Sequence, residues 1–308
     1  MSIYKKIYLL LSVLLLNISL SFAQFSAKPL QFNPPLIIEN ENVFSAKKEF
    51  GTVDRRGLVF GINMGMLKAN GHSALYYNGS DGNENNINNY IIKNSSWYNE
   101  IKHQLNERNF SLYSTPTTMS YDASIMVGFH ARYNFTNTAG IFIQFNFSKL
   151  NTTGQFALST DSVNYTSQAS LRYFSIYGQE QRSYIDIGFQ KQWFLGKLSN
   201  FFLEGGVNFT NVLVKKSGII IGDLDYSIVN VYGSQNYVPN SGMQPYDIRQ
   251  GGIGFGVFGG AGICLNFNEK LSIEPGLNVF YQSINLTGYD NYRLNYTLFV
   301  RLVLRDFL

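Results

Sequence analysis

The sequence predicts an all-β chain that closes into an antiparallel up-and-down transmembrane β-barrel of eight strands. Three observations carry that reading: a dominant period of two from residue 57 onward, short turns alternating with long loops, and a composition rich in aromatics but poor in charge. Aromatic residues make up 16% of the 308 residues and charged residues 14%, against about a quarter charged in an ordinary soluble domain. A mean hydropathy of -0.08 excludes a bundle of membrane helices. It suits a barrel, whose strands alternate apolar and polar positions and average near neutral. Cys264 is the single cysteine, which excludes a disulfide framework or a zinc cluster built on cysteines. A net charge of +4 is too small for a nucleic-acid surface argued from bulk charge.

Residues 1–23 have the form of a secretory signal. Lys5 and Lys6 give the positive start, Ile7 to Leu16 the apolar run, and Ser21-Phe22-Ala23 the small-x-small cleavage site before Gln24. Beyond it no stretch approaches about 18 consecutive apolar residues, so no membrane helix is expected. Residues 24–56, with Pro29, Pro34 and Pro35, keep no sustained period and are expected as an irregular periplasmic lead-in. The barrel is expected over 57–308, and the location is the outer membrane.

Weak alternation opens the barrel at 57–68. Segment 121–135 sets Ile125, Val127, Phe129 and Tyr133 against Ser124, Gly128, His130 and Arg132, and 141–150 is a weaker copy. Segment 183–194 sets Ile185, Ile187, Phe189 and Trp193 against Asp186, Gly188, Gln190 and Gln192. Segment 201–214 sets Leu203, Val207 and Phe209 against Glu204, Gly206 and Asn208. Segments 252–267 and 270–284 follow, and the last strand places Leu294, Tyr296, Leu298, Val300, Leu302 and Leu304 on one face. Tight connections near Thr136–Gly140, Gly196–Asn200 and Asn268–Lys270 read as periplasmic turns. The long ones at 69–119, 155–181 and 215–249 read as extracellular loops, with a brief one at 285–291. A count of ten strands stays open, because Ile219–Ile221 and Tyr226–Val231 could form a further hairpin. Closure follows from the solvent: in hydrocarbon no water satisfies strand N–H and C=O groups, so the sheet must have no edge.

Candidate functional residues fall into three sets. Arg132, Glu204, Glu274, Arg301 and Arg305 share the inner parity near the periplasmic end, where charges in a narrow lumen must pair. They are expected as a polar core closing the barrel bottom, with a gated ion path as the other reading. Lys68, Lys149 and Lys215 stand at the upper ends of the three upward strands on the outer parity. There they could meet lipopolysaccharide phosphates, or serve only as solubilising charges at loop entrances. Tyr121, Tyr133, Trp193, Phe201 and Tyr296 are the expected aromatic interface.

Gly254-x-Gly256-x-x-Gly259 matches a dinucleotide fingerprint but sits in a strand with no following helix; Gly252, Gly254, Gly256, Gly260 and Gly262 share one parity and are assigned to lumen room for neighbours such as Phe280. In the first long loop, Trp97, Ile101 and Leu105 recur at helical spacing behind Ser96 as N-cap, which predicts a helix over 97–107 acting as a lid or a partner face. His72, His103 and His130 are the only histidines, and no spacing joins one to a serine and an acid. No enzymatic activity, metal or cofactor is expected.

The order of leader, short lead-in, eight alternating strands and an aromatic Phe307 beside the C-terminus resembles small outer-membrane barrels. The Asn-, Tyr- and Gly-rich texture over 57–308 is similar to the PorT-like barrels of Bacteroidetes-type bacteria. That resemblance implies a cell-envelope role, secretion-associated in some members. It brings no motif and no functional residue. Three functions remain open: a scaffold with a protein partner at its loops or lead-in, a narrow pore for small solutes, or a lipid-modifying enzyme.

Overall fold

The structure is a computed structural model that describes residues 55–106, 108–161, 170–195, 199–229 and 250–305. The signal segment and nearly all of the lead-in lie outside the described residues. So do Glu107, residues 162–169 and 230–249 within the expected loops 155–181 and 215–249, residues 196–198 of the expected turn at Gly196–Asn200, and Phe307. Arg55 is described: its N–H donates to Asn137 Oδ1 at 2.8 Å, and its guanidinium lies 5.1 Å from the Phe194 ring centroid at the lower mouth.

In chain order the elements are β1 (Gly57–Lys68), α1 (Ser95–Gln104), β2 (Phe110–Ser114), β3 (Ser124–Thr136), β4 (Ala139–Thr160), β5 (Ser170–Phe194), β6 (Ser199–Ile221), β7 (Leu224–Ser227), β8 (Gly251–Asn266), β9 (Leu271–Gln282) and β10 (Arg293–Arg305). A short 3-10 segment Gly71–Tyr77 and a π turn Asn88–Ile92 precede α1. All pairings are antiparallel. They run from β1 through β3, β4, β5, β6, β8, β9 and β10, and β10 returns to β1 with Val59 opposite Arg305 and Lys68 opposite Tyr296. The sheet therefore closes as a ring of eight, and every ring strand has two neighbours.

The alternation in the sequence maps onto the two sides of that ring. Ile62, Met64, Ile125, Phe129, Phe147, Ile187, Phe255 and Leu298 point out and are exposed as an apolar belt. Aromatic rings stand at both ends of the belt. Trp193 contacts Phe201 at 6.0 Å below, with Tyr133 nearby in the sheet, and Tyr281 contacts Tyr292 at 5.3 Å above, near Tyr296. An apolar belt between aromatic girdles is what a bilayer requires of a spanning sheet. Tyr121 departs from the expected set. It is 1% exposed and donates its phenol to Glu180 inside the barrel, because the chain there has already left the outer surface to cross the rim.

The loop boundaries are also corrected. β4 and β5 run 22 and 25 residues, so 155–160 and 170–181 are paired strand rising above the belt rather than loop. Segment 215–249 begins as β6, which bulges where Gln179 faces Lys216 and Glu180 faces Val214, leaving Lys215 as the extra residue. The hairpin that would have raised the count to ten does form, with Gly218 opposite Ser227 and Ile221 opposite Leu224. It hangs from β6 at the rim and adds nothing to the ring. Likewise β2 pairs only with the upper part of β4, Phe110 opposite Thr160.

Segment 69–119 is a folded cap. Its helix starts at Ser95 and ends at Gln104, with Asn94, not Ser96, as N-cap: the Asn94 side chain accepts from the N–H of Ser96 and Trp97. Trp97, Ile101 and Leu105 are buried as their spacing predicted. They join Tyr76, Tyr77, Ile87 and Ile91 from the cap and Leu150, Phe156, Ile176, Val214 and Ile219 from the raised strands in one apolar core.

Candidate functional site

The lumen is filled by side chains of inner parity stacked in tiers. At the lower rim Arg305 donates to Asn266 Oδ1 at 3.1 Å and Ser272 Oγ at 3.4 Å. It sits two inward positions below Arg301 on β10 and shares no ion pair with the other four predicted charges among the described residues. Those four meet. Arg132 pairs with Glu274 at 3.0 Å and also donates to Gln190. Arg301 lies 3.2 Å from Glu204 and 3.0 Å from Glu274, and all of these ionic side chains are 0% exposed.

The topology makes these contacts span the lumen. Arg301 on β10 reaches Glu204 on β6 and, through Nη2, Gln144 on β4 at 2.8 Å, each three strands away around the ring. Its Nε donates to Asn63 at 3.0 Å. The guanidinium thus sits at the centre of the cross-section, with its fork satisfied on several sides. Two arginines face two glutamates, so the tier is neutral. A buried charge that lost its partner here would cost several kcal/mol, roughly 3–5 for a broken pair.

Beside and above it the lumen carries an aromatic run and a polar cluster that share β4 and β5. Phe142, Phe258, Phe280 and Tyr184 follow one another at 6.0, 5.6 and 6.1 Å between ring centroids. Asp186, the next inward residue below Tyr184 on β5, accepts from Gln144 at 3.2 Å, from Asn146 at 3.3 Å and from Asn208. His130 is enclosed here, with Nδ1 3.3 Å from Gln144 Oε1. The glycines of β8 do make room, but not for Phe280. A Cβ at Gly262 would strike the Phe202 ring, and one at Gly260 would strike Asn278, while Phe280 stacks on Phe258.

A further ion pair lies at the height where the cap begins, and sequence reasoning missed it. Arg182 Nε is 2.6 Å from Glu180 Oε1, both side chains fully buried. The second oxygen of Glu180 accepts from Tyr77 at 2.7 Å and Tyr121 at 3.0 Å, and Arg182 Nη2 donates to Ser73 at 3.2 Å. This pair fastens the cap to β5. Gly178 serves the same docking, because any Cβ there would overlap the Tyr77 ring. The signal was available: continuing the inner parity of Asp186 upward by two and three steps gives Arg182 and Glu180. In the cap, burial and the Glu84 carboxylate push the Tyr90 phenol up to about 12.

The remaining sequence candidates are placed as follows. Lys149 and Lys215 are exposed on the outer face, and Lys68 donates to the Tyr121 carbonyl at 3.1 Å. His72 packs its ring 5.4 Å from Tyr289, while His103 lies in the last turn of α1. Among the described residues no group of three or more His, Cys, Asp or Glu is arranged to hold a metal ion.

No family model and no curated protein matches the chain. Solved structures that are similar are small outer-membrane barrels. Neisserial surface protein A is 7% identical with a TM-score of 0.40, covering 81% of this chain and 97% of that one. Ail, the attachment invasion locus protein of Yersinia pestis, is 10% identical with a TM-score of 0.32, covering 80% and 98%. OprG from Pseudomonas aeruginosa is 10% identical with a TM-score of 0.35, covering 82% and 95%. At these values they assign neither family nor role to this chain.

Proposed function

We propose that this chain is an outer-membrane barrel with a non-enzymatic, structural role, whose folded cap presents a surface to a protein partner of the cell envelope. The observation that carries this reading is Arg301, which bridges the lumen from β10 to β6 and β4 within a neutral, fully buried tier. A conduit would need water and an open width at that height. A side chain bonded on several sides serves instead as a rigid core. The material invested in order lies above the belt, where the raised β4–β5 hairpin and the cap share one apolar core.

In this proposal the segment before Gln24 directs export and is removed after Ala23, and Phe307 contributes to recognition during barrel insertion. Lys149 and Lys215, with Lys68 nearby, meet the phosphates of lipopolysaccharide. The texture of the chain supports placement among the PorT-like barrels, some of which the resemblance links to secretion.

A photo-cross-linking residue at Tyr113 or Tyr173, both exposed above the belt, tests the partner claim in intact cells. One recurrent protein adduct at these positions, absent with the cross-linker at Phe135 below, is expected. Adducts with lipid alone at all three positions would overturn it. Changing Lys68, Lys149 and Lys215 together to Glu should raise detergent sensitivity of the outer membrane, and unchanged sensitivity would remove the lipopolysaccharide contact.

A further inference from the structure

At the seam between cap and barrel lies a cavity of about 10 Å³, walled by Asn70 and Ser73 from the cap and by Arg182, Gln282, Arg293 and Asn295 from the barrel. That volume is close to what one small solvent-sized species occupies, roughly 10–15 Å³ on the same scale. No carboxylate lines it. Two buried donors on wall residues have no hydrogen-bond partner of ordinary geometry: Arg182 Nη1, on a side chain that is 0% exposed and beside the buried Tyr184 hydroxyl, and Gln282 Nε2, on a residue that is 1% exposed.

The acceptors on Asn70, Ser73, Gln282 and Asn295, by contrast, each already hold one donor, and Ile284, Tyr289 and the exposed Asn291 complete the wall. Asn295 Oδ1 accepts from the Asn70 N–H at 2.8 Å, and Asn70 Oδ1 accepts from the His72 N–H at 2.8 Å. Ser73 Oγ accepts from Arg182 Nη2 at 3.2 Å and donates to the Asn70 carbonyl at 3.0 Å. The oxygen of the Gln282 amide accepts from Thr210 at 3.1 Å. What Arg182, Gln282 and Arg293 bring to the space is donor hydrogen and positive charge. Glu180 neutralises Arg182 from the far side, and Arg293 adds a second guanidinium that has no ion pair among the described residues. A water would satisfy the donors but leave the excess of positive charge in place, and a cation would meet two arginines. An anion answers both the geometry and the charge.

We propose that this cavity is a binding site for a single monatomic anion of chloride size, held by Arg182 and Gln282 and entered past the exposed Arg293. The site joins four separate elements, so its occupant ties the cap to β5, β9 and β10. An unpartnered buried guanidinium nitrogen is costly on its own, and the anion removes that cost. The inference stands apart from the structural role proposed above, since a barrel of any function could carry it.

Chlorine-35 NMR line broadening on the refolded full chain in detergent tests it, with chloride titrated against a bulky organic anion at constant ionic strength. Saturable broadening that bromide displaces and sulfate does not is expected. Gln282→Glu, which keeps the shape and replaces the donor by a negative charge, should weaken binding about tenfold or more, as expected for losing a hydrogen bond to a charged group. Should that variant fail to show the heat-dependent gel shift of a folded barrel, Arg293→Gln at an exposed position takes its place. Broadening that never saturates, or that the folded variant retains at wild-type strength, would reduce the site to adventitious chloride on surface arginines and overturn the proposal. Crystals grown in bromide give an independent reading: an anomalous peak between Arg182 and Gln282 supports the site, and an ordered water without one refutes it.

Discussion

The lower lumen and the cap are built on the same strands with opposite chemistry. Along β4 the inward residues Gln144, Asn146 and Ser148 are polar, and from the next inward position upward Leu150, Phe156 and Leu158 join the apolar core, with Thr152 and Gly154 between them. β6 makes the same change, from Glu204, Asn208 and Thr210 to Val212, Val214 and Ile219. Below the change, lipid covers the outside, so apolar residues are spent there and the interior is held by ion pairs and amides. Above it the outside faces water, and the interior reverts to an ordinary apolar core. Glu180 and Arg182 lie at the boundary and link the two. One ring of strands therefore contains two differently bonded interiors, and each should fail under a different perturbation.

The largest effect is expected from Arg301→Ala. It strands Glu204 and Glu274 without their shared partner, and about 3–5 kcal/mol of barrel stability should be lost. Urea titration followed by heat-dependent gel mobility measures it. A loss under about 1 kcal/mol would mean that the tier is hydrated and not a core.

How much of this division was legible differs between the two regions. The belt and the lower tier could be read, because period two assigns Arg132, Glu204, Glu274 and Arg301 to the inner face without knowledge of the turns. Parity does not report height, however. It could not show that Arg305 falls a tier below the others or that Tyr121 had left the lipid surface. Height is set by register across strands and by where lipid gives way to water. Neither is encoded in a single segment, and so the raised strand at 155–160 and 170–181 looked like loop. The cap helix was legible from Trp97, Ile101 and Leu105, since an amphipathic helix carries its own period. Its N-cap shifted by two residues because Asn94 and Ser96 offer the same chemistry.

The cap can be broken alone. Ile101→Ala opens a cavity in the upper core and should cost about 2–5 kcal/mol there. Limited proteolysis should then cut between residues 78 and 106 while the gel shift of the barrel persists. Simultaneous loss of both would show that the two interiors fold as one. Tyr77→Phe is a finer probe of the link. Removing one phenol from Glu180 should cost about 1–3 kcal/mol and speed hydrogen exchange in Gly71–Tyr77, with β10 unaffected.

The smallest expected effect is alkaline. The Tyr90 phenol is raised from 10.0 to about 12 in the folded cap, so the folded state holds that proton more tightly than the unfolded one. The stability it contributes is complete below pH 10 and is lost as pH rises toward 12. Proteolysis of the cap should accelerate in that window, and Tyr90→Phe should blunt the acceleration.

The claim on which the rest depends is that the lower lumen is a bonded core and not a conduit. Planar-bilayer recording of the refolded wild type, after its heat-dependent gel shift is confirmed, tests it most directly. The account predicts a silent wild type and the appearance of current in Arg301→Ala or Glu204→Ala variants that still fold. A steady ohmic current through the wild type, diminished by either substitution, would contradict it.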